Sequence, residues 1–178
     1  VTLDQFNEAM AELRADDMKG LILDLRSNPG GDLSVVVEIA RRLLPAGLIT
    51  YTEVPSGQRT EYTCDGEYEI DIPMVVLING YSASAAEILA GAIQDHNKGT
   101  VVGTTSYGKG IVQRLITLED GSAVKLTVSG WFTPDGNNIQ GSGIEPDVEA
   151  EYDTDLAETE GLDSQVEKGI EILKEKIG

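Results

Sequence analysis

Met74-Val75-Val76-Leu77-Ile78-Asn79-Gly80-Tyr81-Ser82-Ala83-Ser84-Ala85-Ala86-Glu87-Ile88-Leu89-Ala90-Gly91-Ala92-Ile93 is the stretch that decides the fold. Its first five residues are an unbroken apolar run, the pattern of a buried strand, and residues 88–93 read as helix. Ser84 therefore falls at a strand-to-helix junction. The first N–H groups of a helix lack internal acceptors, and the positive end of the dipole faces arriving negative charge, so this position suits a nucleophile. The N–H of Ala85 is one such free donor.

A serine hydroxyl needs a base, and the usual one is histidine. The chain has a single histidine, His96, 12 residues after Ser84 on the same predicted helix. At about 1.5 Å per residue it is about 18 Å away along the axis, too far to pair. His96 reads instead as a helix C-terminal residue. The remaining base is Lys109, 25 residues after Ser84 in Ser106-Tyr107-Gly108-Lys109-Gly110. A lysine with an ordinary pKa costs about 4.6 kcal/mol to neutralise at pH 7, and burial in apolar surroundings can remove that cost. The flanking glycines permit close approach of backbone, and Ile111-Val112 open an apolar strand. Read singly, Lys109 fits a solvated loop and Ser82 or Ser84 an ordinary helix N-cap.

Gly103-Thr104-Thr105-Ser106-Tyr107-Gly108-Lys109 also fits the first seven positions of a phosphate-binding P-loop. Position eight is Gly110, with no hydroxyl for a magnesium ion, and residues 111–116 read as strand where a P-loop needs helix. A net charge of −18, from 13 basic and 31 acidic residues, also opposes loose anion binding and excludes nucleic acid as a partner.

A second strand-turn-helix unit precedes the first. Gly20-Leu21-Ile22-Leu23-Asp24-Leu25-Arg26 leads into Asn28-Pro29-Gly30-Gly31-Asp32, after which Leu33, Val36, Val37, Ala40, Leu43 and Leu44 recur at helical spacing. Gly30 or Gly31 can turn a backbone N–H toward Ser84 as a second oxyanion donor opposite Ala85. The pair equally fits a tight turn capped by Asp32, with Asn28 bonding its own backbone.

With 178 residues and 40% hydrophobic content, the chain can bury one core, so a single domain is expected. Strands are predicted at 20–26, 48–54, 59–64, 73–78, 100–103, 111–118 and 122–132, and helices at 2–15, 33–44, 84–96 and 164–176: an α/β chain with some hairpins. Residues 149–160 read as an acidic solvated connector. The stripe of Val166, Ile170, Leu173 and Ile177 marks a final amphipathic helix packing on the core. Cys64 is the only cysteine, so no internal disulfide forms, and with one histidine no zinc spacing exists; no cofactor is called for. No apolar run reaches about 18 residues, so no membrane span is expected.

Five separated segments, in order, resemble the catalytic domain of the C-terminal processing peptidases, tail-specific serine endopeptidases with a Ser-Lys active site. They are Leu23-Asp24-Leu25-Arg26-Ser27-Asn28-Pro29-Gly30-Gly31; Ser82-Ala83-Ser84-Ala85-Ala86-Glu87-Ile88-Leu89-Ala90-Gly91-Ala92; Tyr107-Gly108-Lys109-Gly110-Ile111-Val112-Gln113; Thr133-Pro134-Asp135-Gly136; and Ile139-Gln140-Gly141-Ser142-Gly143-Ile144-Glu145-Pro146-Asp147. The likeness spans roughly residues 3 to 148. It implies a ClpP/crotonase-like spiral of ββα units over a single domain, 1–178. It also implies Ser84 as nucleophile, Lys109 as general base, Gln113 orienting the lysine amine, and oxyanion donors at Ala85 and one of Gly30 and Gly31. On a strand, Gln113 and Lys109 would share a face. Alanine at 86, where many relatives carry serine, leaves that chemistry intact.

The resemblance further implies unstructured polypeptide C-termini as substrates, capture of the tail by a PDZ domain, and an extracytoplasmic location. Residue 1 already opens a helix, with Thr2-Leu3-Asp4-Gln5 as a capping box, so the expectation is an excised catalytic fragment lacking its PDZ domain and export signal. The rival function is a non-catalytic hydrophobic-ligand or peptide-binding module of the same fold.

Overall fold

The computed structural model describes residues 2–178. In chain order the elements are α1 (Thr2–Ala15), β1 (Leu21–Asp24), α2 (Leu33–Ala40), β2 (Gly47–Glu53), β3 (Arg59–Cys64), β4 (Met74–Ile78), α3 (Ala85–Asp95), β5 (Thr100–Gly103), β6 (Ile111–Thr117), β7 (Ala123–Phe132), β8 (Val148–Glu149), α4 (Thr154–Glu160) and α5 (Ser164–Ile177). They form two four-stranded sheets. One is parallel, ordered β1-β4-β5-β8; the other is antiparallel, ordered β3-β2-β7-β6.

The apolar run at 74–78 is the centre of the parallel sheet. All five residues of β4 are fully buried, because a parallel strand has layers on both faces and cannot alternate with polar residues. Met74, Val76 and Ile78 pack into the main core with α2 and α3, while Val75 and Leu77 face the other way onto Ile172 and Leu173 of α5. Burial of each such side chain contributes roughly 1.5–3 kcal/mol, so the two-sided packing anchors the strand that leads into the Ser84 loop. Of the stripe predicted for the last helix, Val166 and Leu173 pack on the core; Ile177 is exposed, and Ile172, outside the predicted stripe, is buried in its place.

Three predicted boundaries shift. The helix expected to reach residue 44 stops at Ala40: Pro45 disfavours helical geometry in its predecessor, and Arg42 and Leu43 donate to carbonyls three residues back in tighter turns. Leu43 and Leu44 remain fully buried despite leaving the helix. The strand expected at 20–26 ends at Asp24, where a turn begins. The acidic connector contains a short helix, α4, which buries no residue; Asp153 caps its start and Gly161, left-handed at φ +69°, ends it. No helix among the described residues is long and apolar enough to cross a membrane.

Candidate active site

Ser84 is the N-cap of α3, but not an ordinary one. Asp32, Asp153 and Asp163, which cap α2, α4 and α5, all have the extended backbone typical of the position. Ser84 instead has φ +57° and ψ −116°, a region that costs a non-glycine residue about 1–3 kcal/mol. The surrounding bonds hold it there. Ala83 N–H donates to Asn28 O at 2.9 Å, Ser82 Oγ donates to Leu25 O at 2.7 Å, and Ser84 N–H donates to Glu87 Oε2 at 2.7 Å. Ser84 thus caps α3 from a strained backbone that the other three caps do not share.

Glu87 is the residue that sequence reasoning left without a role. It is 0% exposed, and its carboxylate accepts four hydrogen bonds: Oε2 from Ser84 N–H and from Lys109 N–H at 2.9 Å, Oε1 from Gly108 N–H at 2.7 Å and from Ser106 Oγ at 2.5 Å. One oxygen thus receives the backbone of both Ser84 and Lys109, binding together loops 25 residues apart. The signal was legible as the capping-box spacing Ser84-x-x-Glu87. What that spacing does not reveal is the second loop arriving on the same carboxylate. Glu87→Gln keeps the shape but replaces an acceptor oxygen with an NH₂ group, leaving buried N–H donors unanswered. A loss of about 2–4 kcal/mol is expected, at about 1–3 kcal/mol per orphaned group, read as a lower urea midpoint.

Lys109 is half-buried. Its carbonyl accepts from the indole N–H of buried Trp131 at 2.7 Å, so its backbone is fixed on both sides. Its amine has no ion pair or hydrogen bond among the described residues, although the chain carries 31 acidic side chains. The flanking glycines are required. A Cβ at Gly108, with φ +84°, would stand 2.9 Å from Gly143 N, and one at Gly110 would stand 2.6 Å from Gln140 N. The segment after Lys109 is strand β6, which removes the P-loop alternative on the structural ground stated above.

Gln113 lies on β6 and is exposed, and a register irregularity separates it from Val112. Lys109 precedes the strand, so alternation along β6 does not relate the two, and among the described residues no hydrogen bond joins them. His96 caps the far end of α3, with Nε2 2.7 Å from Leu48 O on β2. It is structural.

The two glycines separate cleanly. Gly30 has φ +94°, and its N–H is already given to Asn28 Oδ1 at 2.9 Å; a Cβ there would stand 2.6 Å from Ala83 O, 2.7 Å from Ala85 N and 2.8 Å from Ser84 Cβ. Gly31 N–H has no acceptor among the described residues, and a Cβ at 31 would meet nothing within 4 Å. As the first residue of α3, Ala85 likewise has no intrahelical acceptor for its N–H, and none elsewhere among the described residues. Beside Gly31 and Ala85 opens an apolar cavity of about 300 Å³, walled by Phe6, Leu25, Val35, Val36, Ile39 and Leu89.

The carboxyl-terminal-processing protease of Synechocystis sp. is 45% identical over 139 residues, covering 78% of this chain and 33% of that protein. The carboxy-terminal-processing protease of Bartonella bacilliformis is 41% identical over 165 residues, covering 86% and 38%. Among solved structures, the photosystem II D1 C-terminal processing protease superposes with a TM-score of 0.79 at 38% identity, covering 84% of this chain and 39% of that one. The chain thus spans about a third of the length of the curated relatives it matches. With the profile of Peptidase family S41 matching residues 1–150, this chain belongs to that family.

Proposed function

We propose that this chain carries the catalytic unit of a serine endopeptidase that cuts polypeptides near their C-terminus through an acyl-enzyme. The observation that carries the reading is the Glu87 carboxylate, which binds the strained Ser84 and the loop of an unpaired Lys109 at once. Lys109 Nζ takes the proton of Ser84 Oγ as the oxygen attacks the scissile carbonyl carbon. The resulting oxyanion is received by the N–H groups of Ala85 and Gly31. The lysine then returns the proton to the leaving amine as the C–N bond breaks, and repeats both steps with water to release the acyl group. Gln113 belongs to this proposal as the side chain that steadies the lysine amine once substrate is bound. The two sheets and their helices are proposed as a version of the ClpP/crotonase-like spiral.

Substrate enters the proposal at two places. The apolar cavity beside Gly31 and Ala85 receives the side chain next to the cleaved bond, favouring apolar over charged residues there. β6 begins two residues after Lys109 and is an edge strand of the antiparallel sheet, with Leu115 and Ile116 exposed, so an extended peptide can add to it through main-chain bonds. Such binding demands a segment free of its own structure. A PDZ domain holding the tail, and an extracytoplasmic setting, complete the proposal for the longer relatives' architecture.

The deciding experiment has two arms. Labelling by a serine-directed fluorophosphonate is expected in the wild-type chain and absent in Ser84→Ala. One folded protein, bearing either a disordered apolar tail or none, is then incubated with the chain and its products are read by mass. Cleavage confined to the tailed form, and slow cutting of denatured casein, are expected. Equal cutting of both forms overturns the tail requirement; absence of Ser84-dependent labelling and of any cleavage supports the binding-only module.

A further inference from the structure

Arg26 lies two residues past the end of β1, on the way into the 27–31 turn, and two segments meet at its guanidinium. Asp24 accepts from its backbone N–H at 3.0 Å, from Nε at 2.9 Å and from Nη2 at 2.7 Å. Nη1 reaches the other way, to the Asp163 carboxylate at 2.8 Å and Gln165 Oε1 at 2.8 Å. Both of those residues belong to the start of α5. Asp163 caps that helix, accepting from Gln165 and Val166 N–H, and buried Gln165 donates to Ala150 O at 2.7 Å, just past β8. The Arg26 side chain is only 14% exposed, and its bonds to Asp163 and Gln165 are partly buried, whereas those to Asp24 face solvent.

The next residues are those of the site. Ser27 has φ +54°, a second strained non-glycine position, held by Asn79: its N–H donates to Asn79 Oδ1 at 2.9 Å, and Asn79 Nδ2 donates to Ser27 Oγ at 3.2 Å. Asn28 then fastens Ala83 and Gly30, and Gly31 follows. We propose that Asp163 is a positioning residue: by fixing Arg26 it sets the strained 27–31 turn so that Gly31 N–H faces the oxyanion beside Ser84. The C-terminal helix is thereby part of the active-site support, although the family match ends at residue 150. Burial opposes ionisation of Asp24, but hydrogen bonding and charge from Arg26 outweigh it and hold the carboxyl below its ordinary range.

This inference rests on the peptidase reading for its kinetic consequence, but not for its structural one. Asp163→Asn retains a capping oxygen, since asparagine caps as well as aspartate, and removes the charge that Arg26 meets. On an unstructured fluorogenic peptide, kcat is expected to fall about tenfold at unchanged KM, with Tm within about 2 °C of wild type. Amide exchange at residues 27–31 should quicken in parallel. Asp153→Asn, altering the cap of α4 away from Arg26, should change neither. Unaltered exchange at 27–31 in Asp163→Asn overturns the proposal, as does quicker exchange with kcat intact. If wild type shows no turnover, the peptidase reading fails and the exchange result alone decides this one. Should Asp163→Asn not fold, Arg26→Lys, which has too few donors to span both partners, must show the same faster exchange; a wild-type pattern there overturns the proposal.

Discussion

Lys109→Arg is expected to reduce kcat/KM by about 10³-fold or more, close to the loss in Ser84→Ala, with the fold intact. General-base catalysis is worth about 10²–10⁴-fold, and groups that act as a unit fail together when either is removed. Arginine preserves length and charge but its guanidinium does not surrender a proton in a protein. The backbone bonds that position residue 109, its N–H to Glu87 Oε2 and its carbonyl to Trp131, do not involve the side chain and survive the change. A paired melting curve and fluorophosphonate labelling rate check this. An arginine variant with a tenth or more of wild-type activity rules out Lys109 as the base. Gln113→Ala should be far milder, because Gln113 is exposed and meets the lysine amine only once substrate is bound in this scheme.

Gly30→Ala is expected to cost both stability and rate, while Gly31→Ala costs little stability. At 30 the added methyl meets a backbone oxygen at 2.6 Å and two atoms of the nucleophile loop within 2.8 Å, none of which is the flexible end of a side chain. The positive φ adds about 1–2 kcal/mol of strain and the crowding about 1–3 kcal/mol. A Cβ 2.7 Å from Ala85 N also occupies the space an oxyanion needs to accept from that N–H. The rate should therefore fall by about 10²–10³-fold, the usual consequence of losing one oxyanion donor. At 31 the methyl points into open space, and Tm should stay within about 2 °C of wild type. Urea unfolding and kinetics on the same two proteins distinguish the positions. Equal effects at 30 and 31 would return the pair to a plain tight turn.

Local pattern carried much of this structure. The apolar run at 74–78 and the helical spacing after it placed the central strand and the junction at Ser84, because both signals are short-range and strong. The same holds for β6 in place of a P-loop helix and for α5 as a helix, though not for every residue of its stripe. Boundaries were less legible. Helical periodicity continues through Leu43 and Leu44, which are buried, so burial alone could not say that the helix had already ended before Pro45. Helix α4 escaped because it buries nothing and thus has no apolar face to detect.

Residue types and order, with the family resemblance, were enough to propose Ser84 and Lys109, to discard His96 on distance, and to narrow the proposed second oxyanion donor to Gly30 or Gly31. Three features were decided only by the tertiary structure. The proposal of Gly31 over Gly30 rests on where Asn28 spends its side-chain oxygen and on what a Cβ would meet, which are contacts across space. The joining of the Ser84 and Lys109 loops depends on one buried carboxylate answering donors from both. The attachment of Arg26 to α5 spans 137 residues of sequence, with no periodicity linking its ends. A spacing rule reports neighbours along a helix or strand; a hydrogen bond that closes between distant segments exists only after the core has brought them together.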